Sequence, residues 1–186
     1  MAKEKIKNDN IILIGFMGSG KTTVGLKLSY KLQLAVEDTD KIIEAREDMT
    51  ISNIFAQKGE GYFRKKELEL LYEIRNSTSH KIYSLGGGTP VQLQNQAIMC
   101  QCGKVIYLRA KPETIYDRLK GDTTRPLLQC ADPLAKIKDL IGKRKYAYER
   151  CADFIIDVDE MEQSEIVDTI VKYINGEETD NENTCN

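Results

Sequence analysis

Residues 15–23, Gly15-Phe16-Met17-Gly18-Ser19-Gly20-Lys21-Thr22-Thr23, fit the pattern G-x-x-x-x-G-K-[ST]. The chemistry this spacing serves is the capture of a phosphate chain. Glycines let successive backbone N–H groups turn towards an anion. A helix starting behind them adds the positive end of its dipole. Lys21 is then a point charge for the β- and γ-phosphates, and the Thr22 hydroxyl suits Mg²⁺. Gly18, Ser19, Gly20, Lys21, Thr22 and Thr23 are therefore the expected nucleotide contacts. Two plainer readings stand beside this one: a chance glycine-rich turn, and a loop that binds nucleotide without doing chemistry.

Such a loop needs a strand to deliver it and a helix to follow it. Ile11–Ile14 is short, β-branched and stopped by glycine, which predicts a buried strand. Lys21–Gln33 carries Val24, Leu28 and Leu32 on one stripe, which predicts a helix. The rest of the chain continues the alternation. Further strands are expected at Leu34–Asp38, Lys81–Leu85, Lys104–Leu108 and Asp153–Val158. Helices are expected at Thr50–Gln57 (capped by Thr50 or Ser52), Tyr62–Asn76, Pro112–Lys120, Pro133–Arg150 and Gln163–Asn175, the last with Gly176 as C-cap. Residues 121–131 show no apolar periodicity and read as a loop. Five strands alternating with helices make an α/β fold, a five-stranded parallel sheet with helices on both faces.

Ligands on such sheets bind beyond the carboxyl ends of the strands, and the remaining polar motifs fall there. Asp38-Thr39-Asp40 follows the second strand; it also reads as a strand-to-helix cap. Gly86-Gly87-Gly88 follows the third, and triple glycine after a buried strand suits close approach of backbone to a ligand better than a merely flexible turn. Gly59-Glu60-x-x-Phe63-Arg64-x-x-Glu67 opens a helix. Alone, Arg64 reads equally as a solvated charge like Lys65 and Lys66, and Glu67 as its orienting partner or a weak surface pair. Arg118 lies ahead of Arg125-Pro126-Leu127-Leu128. Arg144-x-x-x-Tyr148-Glu149-x-x-Ala152-Asp153 leads into the fifth strand, with Arg144 inside the basic run Lys143-Arg144-Lys145.

This ordered set, from about Asn10 to Asn175, resembles the shikimate kinases. The resemblance implies a P-loop fold like that of the nucleoside-monophosphate kinases, with a mobile lid at about 121–131. It implies ATP-dependent phosphorylation of shikimate to shikimate 3-phosphate, a step towards chorismate and the aromatic amino acids, with Mg²⁺ bound at Thr22 and, through water, at Asp38. Asp40 then resembles the residue that receives the shikimate hydroxyls and serves as base. Arg64 and Arg144 resemble the pair that clamps the carboxylate. Gly86, Gly87 and Gly88 resemble the loop that contacts the substrate. Arg125 resembles a lid arginine that reaches the site, and Arg118 one that packs on adenine. Lys21, Asp40 and Arg125 are the implied catalytic set. The chemistry agrees: guanidinium forks hold carboxylates in a way lysine does not. The sequence departs from the family at Val36, where an aromatic is usual, at Glu37, where an apolar residue is usual, and at Leu85, where a small hydroxyl residue is common.

Composition bounds the alternatives. The 186 residues suit one domain, 1–175, followed by an acidic disordered tail at 176–186. Lys and Arg total 27 against 29 Asp and Glu, a net charge of −2, which is not the basic excess of a nucleic-acid binder. Four of those acids lie in the tail, so the domain itself carries +2. No apolar run is long enough for a signal peptide or a membrane span, and the expectation is a cytoplasmic monomer. The five cysteines are odd in number and read as reduced thiols, with Cys100-x-Cys102 only a weak metal hint. The competing functions are a kinase of another small polyol acid, gluconate-like, or of a nucleoside monophosphate, and a non-catalytic nucleotide-binding module.

Overall fold

The computed structural model of the chain describes residues 9–121 and 130–177. Five strands are present: β1 (Asn10–Ile14), β2 (Ala35–Asp38), β3 (Lys81–Ser84), β4 (Gly103–Arg109) and β5 (Phe154–Asp157). They form one parallel sheet in the order β2-β3-β1-β4-β5. The helices are α1 (Lys21–Leu32), α2 (Thr39–Glu47), α3 (Ile51–Lys58), α4 (Glu60–Asn76), α5 (Leu93–Cys102), α6 (Pro112–Leu119), α7 (Pro133–Cys151) and α8 (Gln163–Asn175).

The alternation of side chains along β1 divides the core. Ile12 and Ile14 face a cluster with Leu70, Leu71 and Ile74 of α4, Met99 of α5 and Tyr148 of α7. Ile11 and Leu13 face the other cluster, with Val24 and Leu28 of α1, Ile115 of α6 and Ile166, Val167 and Ile170 of α8. A strand buried on both faces needs no polar alternation, which is why Ile11–Ile14 reads as an unbroken apolar run. Asn10 is the buried exception. Its amide Nδ2 donates to Cys102 O at 2.9 Å, and its Oδ1 accepts from Lys81 N at 2.9 Å. It thereby joins the starts of β1, β3 and β4.

Two helices were not expected. In α2 the apolar residues are Ile42, Ile43 and Ala45 in a largely charged segment, and its start is set by a cap instead. In α5 the buried residues, Asn95, Ile98, Met99 and Cys102, share one face at i, i+3, i+4 and i+7, but the face is short and opens on a buried amide, which weakens its apolar signal in the sequence. Other boundaries shift. Leu34 lies outside β2, Leu85 outside β3, and Asp153 and Val158 outside β5, while α4 starts at Glu60 rather than Tyr62. Glu37, odd for a buried strand, sits on the edge strand β2 and is bonded by Lys81 Nζ of β3 at 2.6 Å. Thr50 is the N-cap of α3, and Gly176 closes α8 with φ 76. Among the described residues, Cys102, Cys130 and Cys151 are free thiols. Cys102 is a packing residue whose thiol donates to Ile98 O and Leu71 O, and no metal-holding cluster of His, Cys, Asp or Glu exists among the described residues. The lid expected at 121–131, including Arg125, and the tail beyond Glu177 lie outside the described residues, apart from their edges. No described helix is long and apolar enough to cross a membrane.

Candidate active site

β1 ends in the glycine-rich loop, and α1 begins at its far side. Gly20, at φ 99, is the N-cap of α1, a left-handed conformation that a side chain would strain. Gly15 is needed for space as well. A Cβ there would lie 2.6 Å from Ser19 Oγ and 2.7 Å from Leu108 O. Lys21 Nζ folds back onto the loop, donating to Gly15 O at 2.9 Å and Phe16 O at 3.1 Å. Thr22 and Thr23 are exposed on the first turn of α1. Ser19 is buried, and its Oγ finds no partner among the described residues. Arg118 of α6 braces the loop from outside, donating through Nη1 to Gly18 O and through Nη2 to Val158 O, each at 3.3 Å.

The cap expected at Asp38-x-Asp40 belongs to Asp38. Its Oδ1 accepts from Asp40 N at 3.0 Å and Lys41 N at 3.3 Å, starting α2. Thr39 between them is buried. Its hydroxyl donates to Ser84 O and accepts from Gly86 N, both at 3.3 Å, which fixes the end of β2 to the end of β3. Asp40 therefore turns under the glycine loop. Its Oδ1 is buried with no hydrogen-bond partner among the described residues. Burial pushes its carboxyl from 3.8 up to about 6; the charges of Asp38, Glu67 and Glu44 add to the rise, and Lys21 opposes it.

Arg64 is not a solvated charge. Its Nη1 donates to Glu67 Oε2 at 2.7 Å, and its Nη2 and Nε donate to Glu60 Oε1 at 2.7 and 3.0 Å. The Glu67 side chain is only 2% exposed and also accepts from the Thr89 hydroxyl, so the surface-pair reading of Glu67 fails. Lys65 and Lys66 instead pair outward with Glu69. Arg144 of α7 lies over the Phe16 ring at 5.5 Å and donates from Nη1 to Gly87 O at 3.3 Å.

The three glycines hold this arrangement together, each beside a different side chain. A Cβ on Gly86 would lie 2.5 Å from Asp40 Oδ1, and one on Gly88 would lie 2.6 Å from Arg64 Nη1. One on Gly87 would face Tyr148 Oη at 3.6 Å and Arg144 Nη1 at 3.8 Å. Their φ angles are not in the left-handed region, so the requirement is room rather than backbone freedom. Along three consecutive residues the loop thus spaces one acid and two guanidiniums.

All the sequence-identified site residues except Arg125 line one cleft of about 620 Å³: the phosphate loop, Asp38, Asp40, Arg64, Gly86–Gly88, Arg118 and Arg144. Sequence reasoning missed Thr39 and Thr89, whose hydroxyls tie the motifs to one another. It also missed the apolar walls from Phe55 and from Met161 and Ile166. Adjacency to a motif was the one signal for the threonines. The walls carry none, because they come together only through packing.

A family model described as "SKI: Shikimate kinase" matches residues 17–175. A shikimate kinase of Sulfurihydrogenibium sp. (strain YO3AOP1) is 44% identical over 165 residues, covering 89% of this chain and 97% of that protein. One of Neisseria meningitidis serogroup C is 40% identical over 150 residues, covering 81% and 88%. Among solved structures, shikimate kinase from Acinetobacter baumannii in complex with shikimate superposes with a TM-score of 0.84 at 33% identity, over 92% of this chain and 95% of that one. The enzyme of Aquifex aeolicus superposes with a TM-score of 0.74 at 32% identity, over 90% and 96%.

Proposed function

The chain belongs to the shikimate kinase family, and from that premise we propose how its own residues carry out the reaction. The enzyme phosphorylates shikimate to shikimate 3-phosphate with ATP as donor. The observation that carries the assignment of roles is the glycine loop, which sets an acid and two guanidiniums along three residues of one cleft. That pattern matches a small ring bearing hydroxyls at one side and a carboxylate at the other.

In this reading Arg64 and Arg144 take the shikimate carboxylate. Glu60 and Glu67 hold Arg64 from both ends of its guanidinium, which leaves it little freedom to lose on binding. Asp40 orients the hydroxyl to be phosphorylated and accepts its proton. A carboxyl raised to about 6 is still ionised at pH 7 yet more basic than an ordinary aspartate. The hydroxyl oxygen forms the new bond to the γ-phosphorus, the bond from that phosphorus to the bridging oxygen of ADP breaks, and the proton resides on Asp40. Lys21 exchanges its carbonyl contacts for the β- and γ-phosphates. Arg118, which braces the phosphate loop at Gly18 O, packs on adenine in this reading. The third implied catalytic residue, Arg125, lies outside the described residues.

The residues present also suit Mg²⁺. Thr22 and Asp38 offer a hydroxyl and a carboxylate to the same cleft, oxygen donors of the kind that ion prefers, few enough to leave places for phosphates and water. Asp38 meets both cap bonds with Oδ1 alone. When bound, the ion would neutralise charge developing on the phosphates. The proposal extends to a single kinase domain over 1–175 and to a cytoplasmic monomer working on a small water-soluble substrate.

The test is ADP release measured with shikimate, gluconate, AMP and no acceptor. Release should depend on shikimate. Release that is equal without it, or that follows gluconate or AMP instead, overturns the reading.

A further inference from the structure

Tyr148 carries a buried hydroxyl that the reaction above does not use. It lies four residues after Arg144 on α7, one turn along the same face. Its ring is fully buried and packs at 5.1 Å from that of Tyr107. A buried phenol needs a hydrogen-bond partner, and this one donates to Gly87 O at 2.6 Å. Arg144 Nη1 donates to that same carbonyl at 3.3 Å.

The neighbouring glycine carbonyls are held differently. Gly86 O accepts from Thr89 N and Gly88 O from Val91 N, each at 3.1 Å, in the short turn that follows the loop. Gly87 O is turned instead towards α7, where Tyr148 and Arg144 donate to it. An arginine that reorients to bind a carboxylate gives up its bond to Gly87 O. The tyrosine need not.

We propose that Tyr148 is a positioning residue for the acceptor substrate. Its hydroxyl holds the Gly87 carbonyl, and so the spacing of Asp40, Arg144 and Arg64 along the loop, while Arg144 leaves that carbonyl for the shikimate carboxylate. The inference rests on Arg144 having the role given above. Burial pushes the phenol's pKa up, so it stays a donor throughout the working range of the enzyme.

Tyr148→Phe removes the hydroxyl and keeps the ring. In the ADP-release assay its KM for shikimate should rise about tenfold, the scale of one buried hydrogen bond of about 1.4 kcal/mol. KM for ATP should stay within about twofold, and kcat should fall less than the shikimate KM rises. A purely structural tyrosine would move both KM values together, in step with the loss in Tm, and that result overturns the proposal. Arg144→Lys in the same series separates the two claims. If it leaves the shikimate KM unchanged, the reading of the cleft fails. If it raises that KM and Tyr148→Phe does not, the positioning role alone fails. NMR of tyrosine-labelled wild-type enzyme gives a readout that needs no variant. The Tyr148 hydroxyl proton should exchange slowly both without and with saturating shikimate, and fast exchange in the complex refutes the proposal.

Discussion

Asp40→Asn should make the enzyme more stable and nearly inactive, and the size of the gain follows from where Asp40 sits. Its carboxyl is pushed from 3.8 to about 6, first by burial, then by Asp38 and Glu67, against the pull of Lys21. One pH unit of difference between native and unfolded chain corresponds to about 1.4 kcal/mol. Ionised Asp40 therefore costs the native state on the order of 3 kcal/mol at neutral pH. The sign is set by proton affinity: the native state holds this proton more tightly than the unfolded chain. The cost is absent below about pH 3.8, grows between there and about pH 6, and is complete above. Asparagine does not ionise and escapes it. Its amide must still sit beside Gly86, where Asp40 Oδ1 finds no partner among the described residues, and this offsets part of the gain. The net expectation is about 1–2 kcal/mol, which for a chain of this size raises Tm by roughly 2–8 °C. Thermal unfolding followed by circular dichroism at pH 7.5 and pH 4 measures it. The variant should be the more stable at pH 7.5 and no more stable than the parent near pH 4, where the ionisation cost is largely gone and the amide's offset remains. Its kcat should fall by about 10²–10⁴, the usual worth of a general base. A variant no more stable than the parent at pH 7.5, or stabilised equally at both pH values, refutes the claim that ionised Asp40 is held against its electrostatic preference.

Three further outcomes are expected of the same cleft. Arg64→Ala should raise KM for shikimate by about 10–100-fold, as loss of a charge-assisted pair does, with little change in KM for ATP; steady-state kinetics varying each substrate in turn decides it, and equal effects on both would remove Arg64 from the carboxylate site. Gly88→Ala places a methyl 2.6 Å from Arg64 Nη1, so the guanidinium that Glu60 and buried Glu67 hold must shift. It should weaken shikimate binding, read by calorimetric titration, and lower Tm, because the bond to Glu67 is disturbed. Lys21→Met should lower kcat by about 10²–10³ and leave shikimate affinity in the absence of nucleotide unchanged; a matching loss of that affinity would contradict its placement at the phosphates.

Much of this protein is legible in its residues one after another. The phosphate loop depends on glycines and a lysine at fixed local spacing, and local spacing is what a sequence displays. The unbroken run Ile11–Ile14 marks a strand buried on both faces, and the stripe Val24, Leu28 marks the helix behind it. The helices that went unseen carry weak apolar signals: α2 is a charged segment started by a cap, and the buried face of α5 is short and includes an amide, Asn95. The arginines mark the limit most plainly. Arg64 is followed by two lysines, and Arg144 is flanked by two more, so charge alone makes the members of each run alike. Family resemblance singled out the arginines; their surroundings show what distinguishes them physically. Packing of α4 rotates Arg64 onto buried Glu67 and the cleft, and leaves Lys65 and Lys66 on outward partners. Packing of α7 lays Arg144 across Phe16 and Gly87. Each residue along a helix turns by about 100°, so which of three adjacent charges meets the substrate depends on what the helix is packed against. The sequence determined that phosphate would be bound and that guanidiniums were available near it. The tertiary structure decided which ones face the cleft and how one glycine loop spaces them from the acid.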